Sequence, residues 1–211
     1  MKRELLNLLA CPKRRGDIDL IEIKDANDNR VLEGLLQCES CSQQYPVSKG
    51  IPRLVEAEAD VQRTGNRFNF QWVSHWTGKF EGDDYCYGFD KDVYVGWMKE
   101  RLESHSPLKA DDRILDAGCG SGEKTSVFAQ MCPDQHVVGV DLGVGALGKA
   151  AARFGNMENL DYVQGNILSP PFKSAQFHWG VSIGMLHHTP NTRRAFAEFR
   201  RLLIDDASLM I

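Results

Sequence analysis

No apolar run in the 211-residue sequence approaches the roughly 20 residues of a membrane-spanning helix, which argues against a membrane protein of that kind. The start pairs a basic end with a short apolar stretch. That stretch, Leu5 to Ala10, is broken by Asn7 and followed directly by Lys13, Arg14 and Arg15. It reads as an amphipathic first helix rather than a leader, and the expected location is the cytoplasm. Cationic excess is also missing. The 25 Lys and Arg are outnumbered by 29 Asp and Glu, for a net charge of −4. A nucleic-acid surface is therefore not the default, although a local basic patch stays open. Cysteine is scarce and irregularly spaced, six in all, which excludes a disulfide framework and leaves free thiols or metal ligands. Internal repeats and low-complexity tracts are absent. What remains is ordinary globular composition, 42% hydrophobic and 26% charged, enough for one full domain or a small module joined to a medium one.

Three segments differ in character. Residues 1–58 hold short apolar stretches and Cys11, Cys38 and Cys41. Residues 59–110 are rich in aromatics, from Phe68 and Trp72 to Tyr94 and Trp97. Residues 111–211 alternate strand and helix patterns. In the last segment, 113–116, 136–141, 160–163, 177–183 and 207–211 read as strands. Helices are expected over 123–131, 145–154 and 191–203, the last with Phe196, Phe199 and Leu203 inward. This alternation predicts an α/β fold, a Rossmann-like parallel sheet with helices on both faces, preceded by a small β-rich module.

Ligands of open parallel sheets bind beyond the carboxyl ends of the strands. The first of these strands ends in Asp116-Ala-Gly118-Cys-Gly120-Ser-Gly122. Glycines there permit a tight turn and close approach of a ligand, and the following helix offers free N–H groups to an anionic group. The second strand ends in Asp141, a carboxylate able to accept from both ribose hydroxyls. The third ends in Gln164-Gly165-Asn166, where an amide can bond a base edge. The spacing is G-x-G-x-G, whereas dinucleotide sites carry G-x-G-x-x-G. Asp116 would repel a pyrophosphate but suits a cationic amine. Together these features favour S-adenosylmethionine over NAD.

The segments ILDAGCGSG, VVGVDL, VQGNI and FHWGVSIGMLHHTPNTRRAFAEFRRLL resemble the successive motifs of class I S-adenosylmethionine-dependent methyltransferases, most closely the subgroup with Leu-His-His after the fourth strand. The resemblance covers residues 113–211. It implies that Asp116, Gly118 and Gly120 hold the methionyl group, and that Asp141 binds the ribose with Leu142 packed on the adenine. It further implies that Asn166 bonds the adenine amino group, with Ile167 as a wall, and that Ile183 to Met185 lie beneath the methionyl chain. His178 stands where the family has Asp, with a structural consequence expected. His188 is the candidate general base, since imidazole titrates in the useful range. The alternative is that it shapes the turn.

A second series is Leu-Ala-Cys11-Pro, Leu-Gln-Cys38-Glu-Ser-Cys41 and Tyr45-Pro-Val-Ser-Lys-Gly-Ile-Pro52. It is similar to a zinc-ribbon-like domain whose free-standing relatives activate methyltransferases. Structural zinc takes four ligands, usually as two C-x2-C pairs. The partner of Cys11 would be residue 14, which is Arg14, so the site reads as degenerate and no metal is expected. The stretch around Arg67, Phe68, Phe70 and Trp72 resembles a helical cover over the cofactor pocket.

These readings make the chain an S-adenosylmethionine-dependent methyltransferase with a small-molecule acceptor. RNA or protein methylation, or a non-catalytic cofactor-binding scaffold, are the rivals. The fifth strand, 207–211, is where the sequence stops. The expectation is a truncated sheet, or an edge covered by a second copy or a partner chain.

Overall fold

The computed structural model describes residues 1–27, 30–56, 91–104 and 108–211. The rings from Phe68 to Phe89, with Arg67 and Cys86, lie outside the described residues.

The first leucines do not form a regular helix. Arg3–Asn7 is one 3-10 turn, closed by the Leu8 N–H on the Leu5 and Leu6 carbonyls. Tertiary pairing then takes over the chain. Leu9 bridges Phe172, and the Ala10 N–H donates to the Pro171 carbonyl at 3.0 Å. Strands β1 (Ile18–Asn27), β2 (Arg30–Cys38), β3 (Gln44–Ser48) and β4 (Ile51–Leu54) follow as an antiparallel meander. Helix α1 is Lys91–Ser104.

From residue 113 the elements alternate as β5 (Arg113–Ala117), α2 (Glu123–Met131), β6 (His136–Asp141), α3 (Val144–Phe154), β7 (Leu160–Gly165), β8 (Phe177–Val181), α4 (Thr192–Leu202) and β9 (Leu203–Met210). All strands from β5 onward pair in parallel. They read as near-continuous apolar runs because both faces are covered. Phe128, Leu147 and Met98 pack on one face, and Phe199, Leu202 and the amino-terminal Leu5 and Leu9 on the other.

Module and core share one nine-stranded sheet, in the order β1-β2-β3-β4-β7-β6-β5-β8-β9. The joint is parallel, with Arg53 opposite Gln164 and Leu54 opposite Gly165. A buried charge cluster reinforces it. Asp161, 2% exposed on β7, accepts from the Lys2 N–H at 3.1 Å and lies 2.9 Å from His136 Nε2. Lys2 Nζ and Arg30 Nη1 of the module stand 3.7 and 3.6 Å away.

Two expectations change in the last helix and strand. Phe196 is 44% exposed, because the inward stripe of α4 runs through Ala195, Phe199 and Leu202, leaving Phe196 about 100° from Ala195 around the axis. The final strand starts at Leu203, not Ala207. Phe177 faces Leu203 and Trp179 faces Ser208, so Ile204 to Ala207 bulge between them. His178 is structural as expected. Its Nδ1 accepts from the Arg113 N–H at 3.0 Å, and Nε2 lies 3.3 Å from Asp112.

Candidate functional site

The strand order reverses direction between β5 and β8, which places a crevice beyond their carboxyl ends. The loop from β5 to α2 lines it. Gly118, Gly120 and Gly122 have φ of 84°, 54° and 82°, the left-handed region that side chains resist. A Cβ on Gly118 would overlap the Met185 side chain, and one on Gly122 would overlap the Tyr162 hydroxyl. The loop is pinned from below, where the Gly118 and Cys119 N–H groups donate to the Val140 carbonyl at 2.8 and 3.1 Å.

Asp141 ends β6 beside this loop. Its two carboxylate oxygens accept from the Gly120 N–H at 2.9 Å and the Gly143 N–H at 2.7 Å. Burial pushes its pKa up against these bonds. Each carboxylate oxygen carries two lone pairs, so acceptor capacity remains on both. Asp116 is 4% exposed and accepts from Thr125 Oγ1 at 2.7 Å. Burial, with Asp141 adding to it, raises its pKa to about 6.

The other sequence-predicted positions fall around the same edge. Leu142 and Ile183 are partly buried, and Gln164 Nε2 donates to the Leu142 carbonyl at 3.1 Å. Asn166 Oδ1 accepts from the Leu168 N–H at 3.0 Å, which leaves its amide N–H groups as the donors toward a base. Ile167 is buried. His188 is exposed on a 3-10 turn, Leu186–His188, its ring 4.0 Å from that of His187. Sequence reasoning missed three supports. Ser182 Oγ donates to the Ala117 carbonyl, Thr125 holds Asp116, and Glu123 takes Arg153 at 2.9 Å as well as Ser121 Oγ. Ser182 directly follows β8, and Glu123 and Thr125 lie in the first turn of α2, where no local pattern announces such a bond.

In the module, the thiols of Cys11, Cys38 and Cys41 lie within 4.8 Å of one another. Cys11 and Cys41 are 3.8 Å apart, and the Tyr45 hydroxyl is 3.2 Å from Cys11 Sγ. Burial alone would raise the Cys11 thiol, but the Tyr45 bond and backbone N–H groups of Lys13 and Arg14 outweigh it and lower the pKa. Burial and the same bond push the Tyr45 phenol far up, so it stays protonated. The Arg14 side chain is exposed. Among the described residues the clustered donors are three thiols, one ligand short of the four of a closed zinc site.

Residues 114–206 match the family described as Methyltransferase domain, and residues 2–50 match the one described as Trm112p-like protein. The chain carries a methyltransferase domain behind a Trm112p-like domain. An uncharacterized protein of Methanocaldococcus jannaschii is 33% identical over 127 residues, 59% of this chain and 46% of its own length. A demethylmenaquinone methyltransferase of Symbiobacterium thermophilum is 30% identical over 112 residues, 51% of this chain and 44% of its own. The chain thus spans about half the length of these relatives. Among solved structures, a TehB-like SAM-dependent methyltransferase from Corynebacterium glutamicum superposes with TM-score 0.50 at 19% identity, over 69% of this chain and 72% of that one. A complex between the Haloferax volcanii Trm112 methyltransferase activator and a methyltransferase gives 0.53 at 17% identity, over 67% and 57%. These likenesses establish the fold. Among the described residues, no helix is long and apolar enough to cross a membrane.

Proposed function

We propose that the chain binds S-adenosylmethionine across the carboxyl ends of β5 to β8 and directs its methyl group to a small-molecule acceptor by in-line displacement. The observation that carries this reading is Asp141, oriented by the Gly120 and Gly143 N–H groups at the end of β6, next to a loop of left-handed glycines. Asp141 accepts the ribose hydroxyls. Gly118 and Gly120 let the backbone meet the methionyl group, and Asp116 steadies the loop and faces its amine. Leu142 and Ile167 sandwich the adenine, Asn166 donates to its edge, and Ile183 lies under the methionyl chain. The sulfonium supplies an activated methyl, so the protein has only to align the acceptor, exclude water and, for some acceptors, take a proton. His188, at the mouth, takes that proton.

The Trm112p-like module acts as a built-in activator, holding β7 through β4 and Asp161. Calorimetric titration of S-adenosylmethionine tests the reading, and absence of binding overturns it. A tritiated-methyl assay against metabolite pools identifies the acceptor. The base role of His188 requires that His188→Ala keep cofactor affinity while losing transfer.

A further inference from the structure

The net charge of −4 conceals an uneven surface. Lys13, Arg14 and Arg15 form the tip of the amino-terminal knuckle, closed by the Cys11 N–H on Gly16 and the Arg15 N–H on Cys11. The knuckle sits at the carboxyl edge of the sheet. Ser169 Oγ, in the loop after β7, donates to the Pro12 carbonyl at 2.6 Å. Arg15 reaches Glu198 of α4 at 2.6 Å. Helix α4 starts at the same edge, directly after the His187-His188 turn, and presents Arg193 and Arg194 in its first turn. Arg194 lies one turn from Glu198 on the same face. Among the described residues Lys13, Arg14, Arg193 and Arg194 are all exposed and none has an acidic partner. Glu198, the acid between them, is engaged by both Arg15 and Arg201.

Among the described residues, four exposed cations without an acidic partner therefore stand at the carboxyl edge of the sheet, two on the knuckle and two at the start of α4. We propose that the methyl acceptor carries a phosphate group, which this face holds while the acceptor's nucleophile reaches toward the methyl. A single carboxylate, with one negative charge, would leave the face mostly unbalanced. A phosphate or diphosphate brings two or more charges and oxygens that match the guanidinium fork. The knuckle position that would carry a fourth thiol then has a different use: Arg14 adds to the field instead of binding metal.

The proposal rests on the methyl-transfer reading, and the experiment separates the two. Inorganic pyrophosphate is titrated calorimetrically into the full chain, with and without S-adenosylhomocysteine, at low and high salt. Saturable binding, weakened by salt, is expected in both cases. Arg193→Gln/Arg194→Gln is expected to weaken pyrophosphate by about tenfold or more, and Lys13→Gln/Arg14→Gln by about threefold, with S-adenosylhomocysteine affinity unchanged. Failure of S-adenosylhomocysteine to bind would sink the methyltransferase reading and leave the pyrophosphate result standing. No saturable pyrophosphate binding, equal binding by both variants, or citrate binding as tightly as pyrophosphate overturns the proposal. A labelled oligouridylate binding more than about tenfold tighter than pyrophosphate also overturns it, assigning the face to nucleic acid.

Discussion

Arg53 of the module stands opposite Gln164 of the core in a parallel ladder, and in the next rung across, Gln164 stands opposite Asp141. One row of backbone pairing thus runs from the amino-terminal module to the carboxylate proposed to hold the ribose. A perturbation at the joint is two strands from the cofactor edge.

Asp161 is the place to test that joint. Burial alone would raise its pKa, but the His136 hydrogen bond and charge, with Lys2, outweigh it and hold the carboxyl below the ordinary value. A depressed folded-state pKa contributes stability that is complete above the unfolded value, about 4, and is lost as pH falls through the folded one. Asp161→Asn leaves Lys2 and Arg30, 12% and 21% exposed, without their anion. With that exposure discounted, the expected cost is about 2–3 kcal/mol near neutrality. Urea midpoints measured from about pH 6 to about pH 3 should fall more steeply for the wild type than for the variant. Parallel curves would mean that the carboxylate does not clamp the joint.

Asp141→Ala removes a charged acceptor of two ribose hydrogen bonds, each worth about 1.5–3 kcal/mol. Affinity for S-adenosylmethionine is expected to fall by about tenfold or more, measured by calorimetry on folded protein. Unchanged affinity would remove the basis of the cofactor assignment.

The elements after residue 113 were legible because parallel strands buried on both faces give unbroken apolar runs, and because glycine marks turns that only glycine tolerates. The β4–β7 joint was not legible. It is made of backbone hydrogen bonds between segments more than a hundred residues apart, and Arg53 and Gln164 carry no pattern announcing them as neighbours. Asp161 is a polar residue within an apolar strand, and its partners Lys2, Arg30 and His136 come from three other segments. The first leucines had a helical period, but pairing with Phe172 and Pro171 ends the turn early. Local pattern cannot report such a tertiary override.

Gly118 offers a test of loop geometry. Gly118→Ala forces an L side chain to φ 84° and drives its Cβ into Met185. The backbone part costs about 1–2 kcal/mol. Both thermal stability and S-adenosylmethionine affinity are expected to drop. In Gly118→Ala/Met185→Gly, which removes both the Cγ and the Cβ that the new methyl would meet, the steric part is relieved and part of the stability returns, measured against Met185→Gly alone. A double variant no more stable than additivity predicts would show that Met185 does not crowd the loop.

The thiol cluster makes the last prediction. Cys11, Cys38 and Cys41 are close enough to share an ion, but the hydroxyl beside Cys11 is the Tyr45 phenol, which burial keeps protonated. The knuckle is also closed by two backbone bonds of its own, from the Cys11 N–H to Gly16 and from the Arg15 N–H to Cys11. Protein purified without added metal is therefore expected to contain no stoichiometric zinc by atomic absorption. In the absence of a bound ion, Cys41, which is partly exposed, should alkylate first, with buried Cys11 and Cys38 protected until unfolding. Chelator should leave both the alkylation order and the thermal midpoint unchanged. One equivalent of zinc, lost on Cys38→Ser together with a drop in midpoint, would show instead that three thiolates and an oxygen suffice, and that the module folds around metal after all.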